Sequence, residues 1–257
     1  MITKYFLPIS FLILLSVGSA TAITEPIKIT ISPGMDKIIF DGKWTYFTEW
    51  KASSLDTLHY DDGMIIILRT AHQNNFIYVF VDVVSDTHLD KNADRAMVCL
   101  DASNDKNKIS DTDDYCFLAI LEGKSAFVYQ GGSLVELNSD FKKIPTPGGF
   151  IGTGGVSDKN DRYSLIPHAS YEFRIPTDLV GRSNNYGFYL SVYDAHTNKV
   201  YSWPQNLIVD KNIQIPNPSN WGEMVSPDSS LPEFESSMFI LVPAFLIVVY
   251  ITKSRNI

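Results

Sequence analysis

The chain has 257 residues, 45% hydrophobic and 19% charged, which suits one large all-β domain or two small ones with apolar segments added. Its formal net charge of -8 and the lack of a basic run argue against a nucleic-acid partner, because phosphate binding needs clustered lysine and arginine. There is no Gly-x-Ser-x-Gly, no His-Glu-x-x-His and no phosphate-binding P-loop, so catalysis by those routes has no motif behind it.

The chain opens with Lys4, an apolar run over residues 6–17 and the small-x-small triplet Ala20-Thr21-Ala22. This order predicts a secretory signal over residues 1–22, with the mature chain starting near Ile23 and a membrane anchor as the competing reading. Residues 27–31 alternate as a short strand before the Pro33-Gly34 turn. Residues 38–40 lead into the Asp41-Gly42 turn and an aromatic cluster of Trp44, Tyr46, Phe47 and Trp50. Residues 51–62 read as a polar loop closed by Asp61-Asp62-Gly63.

Residues 64–70 and 76–84 are apolar runs of strand length around Asn74-Asn75, a hairpin expected to be buried on both faces. Asp82, the one charge inside the second run, is expected at a strand end or loop contact. The loop 85–94 holds Asp86, Asp90 and Asp94. Residues 95–101 and 114–121 form the next pair of strands. Pairing Asp101 with Asp114 sets Cys99 opposite Cys116. In an exported chain an even cysteine count predicts a disulfide, here between adjacent strands, where the ordinary disulfide spacing is hard to meet. Two buried free thiols are the alternative.

Residues 126–130 and 133–137 read as a hairpin about Gly131-Gly132, and residues 145–155 as a Gly- and Pro-rich loop. Strands follow at 170–175, 186–194 and 199–202, with one helical turn at 177–181. About ten short strands without a long amphipathic helix predict an all-β fold, an antiparallel β-sandwich over residues 23–224. A Pro- and Ser-rich stalk spans 225–236, an apolar segment 237–252, and the tail 253–257 carries Lys253 and Arg255. Basic residues behind the apolar segment place the tail in the cytoplasm and the body outside, at the cell surface. Pro232-Glu233-Phe234 ahead of that segment resembles the C-terminal sorting signals read by archaeal sortase-like enzymes. That resemblance implies removal of the tail and a lipid in its place; otherwise the segment stays as a single-pass transmembrane anchor.

The motifs DGKW (41–44), NNFIYVFVDVVSD (74–86), DRAMVCLDASND (94–105), YEFRIPTDL (171–179), YSWPQN (201–206) and NPSNWGEM (217–224) together resemble the family-9 carbohydrate-binding module and related DOMON-like sandwiches. The resemblance spans residues 38–224 and implies a sandwich that binds a ligand without turning it over. Sugar-binding and haem-binding members both occur, so membership does not select the ligand.

Three candidate sites follow. Trp44, Trp50, Tyr193, Trp203 and Trp221 are the aromatics available to stack on a pyranose, with burial in the core as their other reading. In the loop 101–114, Asp101, Ser103, Asp105, Asn107, Asp111 and Asp113 have the alternation of oxygen ligands around Ca2+, although Asp, Asn and Ser are equally ordinary turn formers. Haem needs an axial pair, for which Met97 with His88 or His196 is available; no Cys-x-x-Cys-His is present. The leading expectation is an exported glycan-binding domain. A haem-holding redox accessory domain and a Ca2+-stabilised cell-envelope component are the alternatives.

Overall fold

The computed structural model describes residues 25–132, 141–205, 207 and 215–229. The expected signal segment, the second arm of the Gly131-Gly132 hairpin, the end of the stalk and the C-terminal apolar segment and tail lie outside the described residues.

The described chain is a sandwich of two sheets. The larger holds β1 (Ile27–Lys28), β6 (Arg95–Asp101), β7 (Asp114–Ile120), β8 (Phe127–Gln130), β9 (Lys142–Ile144), β12 (Asn185–Asp194), β13 (Lys199–Trp203) and β14 (Gly222–Val225). Its order is β1-β14-β12-β6-β7-β8-β9, with β13 beside the second half of β12. The smaller sheet holds β2 (Thr30–Ile31), β3 (Asp56–His59), β4 (Ile65–Gln73), β5 (Phe76–Val83), β10 (Ile151–Val156) and β11 (Ala169–Pro176). Its order is β10-β11-β5-β4-β2, with β3 also on β4. The helical turn α1 (Thr177–Val180) follows β11.

Period-two burial builds the core between the sheets. Ile77, Val79, Val81 and Val83 of β5 face Val98 and Leu100 of β6, Phe117 of β7, and Phe188 and Leu190 of β12. The outer faces are covered as well. Trp44, Trp50, Met35 and Ile38 lie over Tyr78 and Phe80, and Trp221 and Phe141 lie over Met97, Cys99, Leu118 and Tyr189. Burial on both faces is why these central strands read as unbroken apolar runs.

Four expectations need correction. The strand expected at 27–31 is split, because Ile27–Lys28 pairs with β14 and Thr30–Ile31 with β4, so the chain crosses between sheets at the fully buried Ile29. Both pairings are parallel, so the sandwich is mixed rather than purely antiparallel. The polar loop 51–62 contains β3, whose polar residues are tolerated because it lies at a sheet edge with Leu58 turned into the core. The glycine-rich loop 145–155 contains β10, paired with β11 along its whole length.

The Asp-Gly turn and the Tyr-Glu-Phe strand are joined physically. Glu172, fully buried on β11, accepts from the Gly42 amide at 2.8 Å and from the Trp50 indole N–H at 3.0 Å. Gly42 has φ +86°, and a Cβ there would lie 2.3 Å from the Gly155 nitrogen, so no other residue fits. This clasp fastens the 35–54 segment over the smaller sheet.

Candidate functional site

One end of the sandwich carries an open pocket of about 360 Å³. The turn from β3 to β4 supplies Asp62, Gly63 and Met64, the segment after β5 supplies residues 85–88, and the β12–β13 connection supplies Asp194, His196, Thr197 and Lys199, with Tyr201 behind them. Strand ends from both sheets therefore meet here, where loop sequence is free of the core's apolar demand.

Asp62 organises one wall. Its Oδ2 accepts from Lys199 Nζ at 2.7 Å and from the Tyr201 hydroxyl at 2.9 Å. The Lys199 hydrogen bond holds the Asp62 carboxyl below the usual carboxylate range. Burial pushes the Tyr201 hydroxyl up to about 12, so it stays protonated and donates. On the rim, the exposed imidazoles of His88 and His196 stack with centroids 3.8 Å apart and planes 10° from parallel.

Carboxylates form the floor. Asp86, Asp94 and Asp194 are all buried and bring one oxygen each within 4.8 Å of one another. Asp94 accepts from the Ala195 amide at 2.9 Å and the Asp90 amide at 2.7 Å. Asp194 accepts from the Thr197 amide at 3.1 Å and hydroxyl at 2.7 Å. Burial first, then the charges of Asp94 and Asp194, push the Asp86 carboxyl up to about 7. This trio was only half legible in the sequence. Asp86 and Asp94 share an acidic loop, but Asp194 lies 100 residues on and arrives because Arg95 pairs with Tyr193 across β6 and β12.

The sequence candidates are placed elsewhere. All four tryptophan rings are buried: Trp44 and Trp50 at 0% exposure, Trp203 at 4% and Trp221 at 3%. Three indole N–H groups donate to protein acceptors, Trp44 to the Tyr46 carbonyl, Trp50 to the Glu172 carboxylate and Trp221 to the Pro216 carbonyl. Rings packed in this way present no open face for a sugar. Tyr193 is half-buried, with the Arg95 guanidinium 4.1 Å from its ring centroid and its hydroxyl on Asn198. The five aromatics do not form one surface.

The loop 101–114 makes many of its own hydrogen bonds, with Asn104 Oδ1 and Asp114 Oδ1 left buried without a partner. Asp101 is fully buried and accepts from the Asn104 amide at 2.6 Å, the Lys106 amide at 3.1 Å and the Ser103 hydroxyl at 3.4 Å. Asn107 Nδ2 donates to both Asp105 and Asp111, and the Ser103 amide donates to Asp113. Burial, then the charges of Asp101, Asp111 and Asp113, push Asp114 up to about 8. The two groups of three ligand atoms within 4.8 Å among the described residues lie outside this loop.

Cys99 and Cys116 stand directly opposite in the β6–β7 ladder and form a disulfide with Cα atoms 4.0 Å apart. Met97 is buried on the outer face of the larger sheet, away from His88 and His196, whose mutual stacking leaves no gap between them for a macrocycle.

No protein-family model matches the chain, and no curated protein is similar to it. Similar solved structures include two carbohydrate-binding modules. One is a carbohydrate binding module family 9 (CBM9) from Caldicellulosiruptor kristjanssonii in complex with cellotriose, at TM-score 0.47 and 14% identity over 79% of this chain and 93% of that one. The other is a CBM9 from the same organism in complex with glucose, at TM-score 0.48 and 15% identity over 77% of this chain and 95% of that one.

Proposed function

We propose that this chain is an exported, membrane-tethered module that binds a carbohydrate, without turning it over, in the pocket at the end of the sandwich. The observation that carries the reading is the Asp62–Lys199–Tyr201 array beside the His88–His196 stack. Neighbouring sugar hydroxyls each donate and accept, and this wall offers a carboxylate acceptor next to ammonium and hydroxyl donors. The flat imidazole pair at the rim supplies a face for the apolar side of the ring. The sequence motifs that resemble the family-9 module agree with this ligand class without selecting it. The array leaves the Asp62–Lys199 pair partly exposed, so the wall can exchange water for a ligand at small cost.

Glycan-array screening followed by calorimetry on the best hit tests the proposal. Lys199→Ala and Asp62→Asn should each weaken binding at least ~10-fold, about 1.4 kcal/mol. Absence of any glycan ligand, or affinity unchanged in both variants, would overturn it.

A further inference from the structure

Asp86, Asp94 and Asp194 approach within 4.8 Å of one another in a buried setting, where three carboxylates cannot all stay ionised without a compensating positive charge or bound protons. Two buried polar atoms at this point have no hydrogen-bond partner: Asp86 Oδ2, on a residue 4% exposed, and the hydroxyl of Tyr171, a residue with no exposure at all. Tyr171 feels the charges of Asp94, Asp86 and Asp194. The Tyr171 hydroxyl and the Asp86 oxygen are thus both buried and unmatched, and native interiors leave few such groups orphaned. The neighbouring Asp90 adds a third, its buried Oδ2 also without a partner.

The other cluster of this kind among the described residues, Asp82, Asp161 and His168, also holds orphaned oxygens, Asp82 Oδ2 and Asp161 Oδ2, but it carries its own cationic partner. There the imidazole already bonds Asp82 at 2.6 Å, and a cation would have to displace it.

We propose that Asp86, Asp94 and Asp194 form a binding site for a hard divalent cation, Ca2+ by preference. Ca2+ takes six to eight oxygens in adaptable geometry and favours carboxylates carried on loops. The trio supplies three ligands from two loops. Because Asp86 and Asp194 also line the pocket, water from the pocket side can complete the shell. A metal-bound water would give the Tyr171 hydroxyl its missing partner. The ion would tie the 85–94 loop of one sheet connection to the β12–β13 turn of the other sheet, and so hold the pocket's shape. This site does not depend on the identity of the pocket's ligand.

Calorimetry and thermal unfolding of the chelator-stripped full chain, titrated with Ca2+ alone, test it. The expected result is saturable binding by about 10 mM with a rise in Tm of about 5 °C or more. Asp86→Asn should abolish both responses while its metal-free Tm stays at or above the parent's, since one crowded charge is gone. Asp105→Asn, in the 101–114 loop, should keep both. Asp194→Asn is the second variant should Asp86→Asn fail to fold. No saturable binding, binding that survives loss of either carboxylate, or binding lost in Asp105→Asn would overturn the assignment.

Discussion

His168 has no exposed surface, yet both ring nitrogens face acceptors, Nε2 at 2.6 Å from Asp82 Oδ1 and Nδ1 at 2.8 Å from the Ile166 carbonyl. Burial alone would lower its pKa; the Asp82 hydrogen bond and charge, then the Ile166 carbonyl and Asp161, together raise it. The imidazolium form donates from both nitrogens and neutralises Asp82. A raised folded pKa means stability that is complete below the ordinary histidine value of 6.5 and is lost as pH climbs through the folded value. Burial of Asp82, up to about 6, acts in the same sense at lower pH. The urea midpoint should therefore fall as pH rises above about 6.5. His168→Gln should flatten that slope and cost roughly 3–5 kcal/mol at pH 6 by leaving Asp82 buried without its partner. A slope unchanged in the variant would refute the assignment. Asp82 was visible in the sequence as the lone charge of its strand, and it lies next to the strand end as expected, wholly buried and bonded to His168 of the loop that leads into β11. Its partner lies 86 residues away, beyond the reach of any local pattern.

At the scale of elements, β10 shows what pattern reading misses. Glycine has low strand propensity, and Ile151–Val156 holds three glycines in six residues. Each stands where something comes too near for a side chain. A Cβ on Gly154 would lie 2.7 Å from Tyr171 Cδ1 and 2.8 Å from the Ile120 carbonyl, and one on Gly155 would lie 2.7 Å from the Asp41 carbonyl. Gly154→Ala should therefore destabilise by roughly 1–3 kcal/mol through overpacking, read as a lower urea midpoint; a neutral result would mean that β10 can move off β7. The strands β4 to β7, β11 and β12 were legible because their residues bury on both faces or alternate cleanly, and matching Asp101 with Asp114 placed the register of β6 on β7 correctly. The edge strands β3 and β9 were not, since half-exposed short strands carry little apolar signal. The stacking aromatics failed as site candidates for a related reason: the Trp50 that marks the Asp-Gly segment is held by Glu172 from beneath, a structural clasp rather than a ligand platform.

For the whole molecule, the position of the pocket relative to the proposed tether matters most. β14 runs antiparallel to β12, so that Gly222 meets Phe188 and Val225 meets Asn185, and the Ser226 amide then bonds the Asn184 carbonyl. The chain thus leaves toward its C-terminus at the Asn185 end of β12, and the pocket lies at the Asp194 end. Ten residues of strand separate the two, roughly 30 Å at ~3.3 Å per residue. The N-terminal edge is fastened at the same end, since the Ile31 amide donates to Asp228 at 2.5 Å and Ile29 bonds Val225. A domain tethered by its C-terminal segment would therefore hold the pocket outward, away from the bilayer, where an extended surface glycan is within reach. The two cysteines are joined to each other and buried, so a single introduced thiol can be labelled cleanly. In the full chain reconstituted into vesicles with a lipid-headgroup acceptor, a donor dye on Thr87→Cys at the pocket should transfer little energy. The same dye on Asn184→Cys, exposed at the tethered end, should be strongly quenched. Equal quenching at both positions would mean that the sandwich lies flat on the membrane, a posture in which the pocket faces along the surface and would meet lipid headgroups before it met any glycan standing above them.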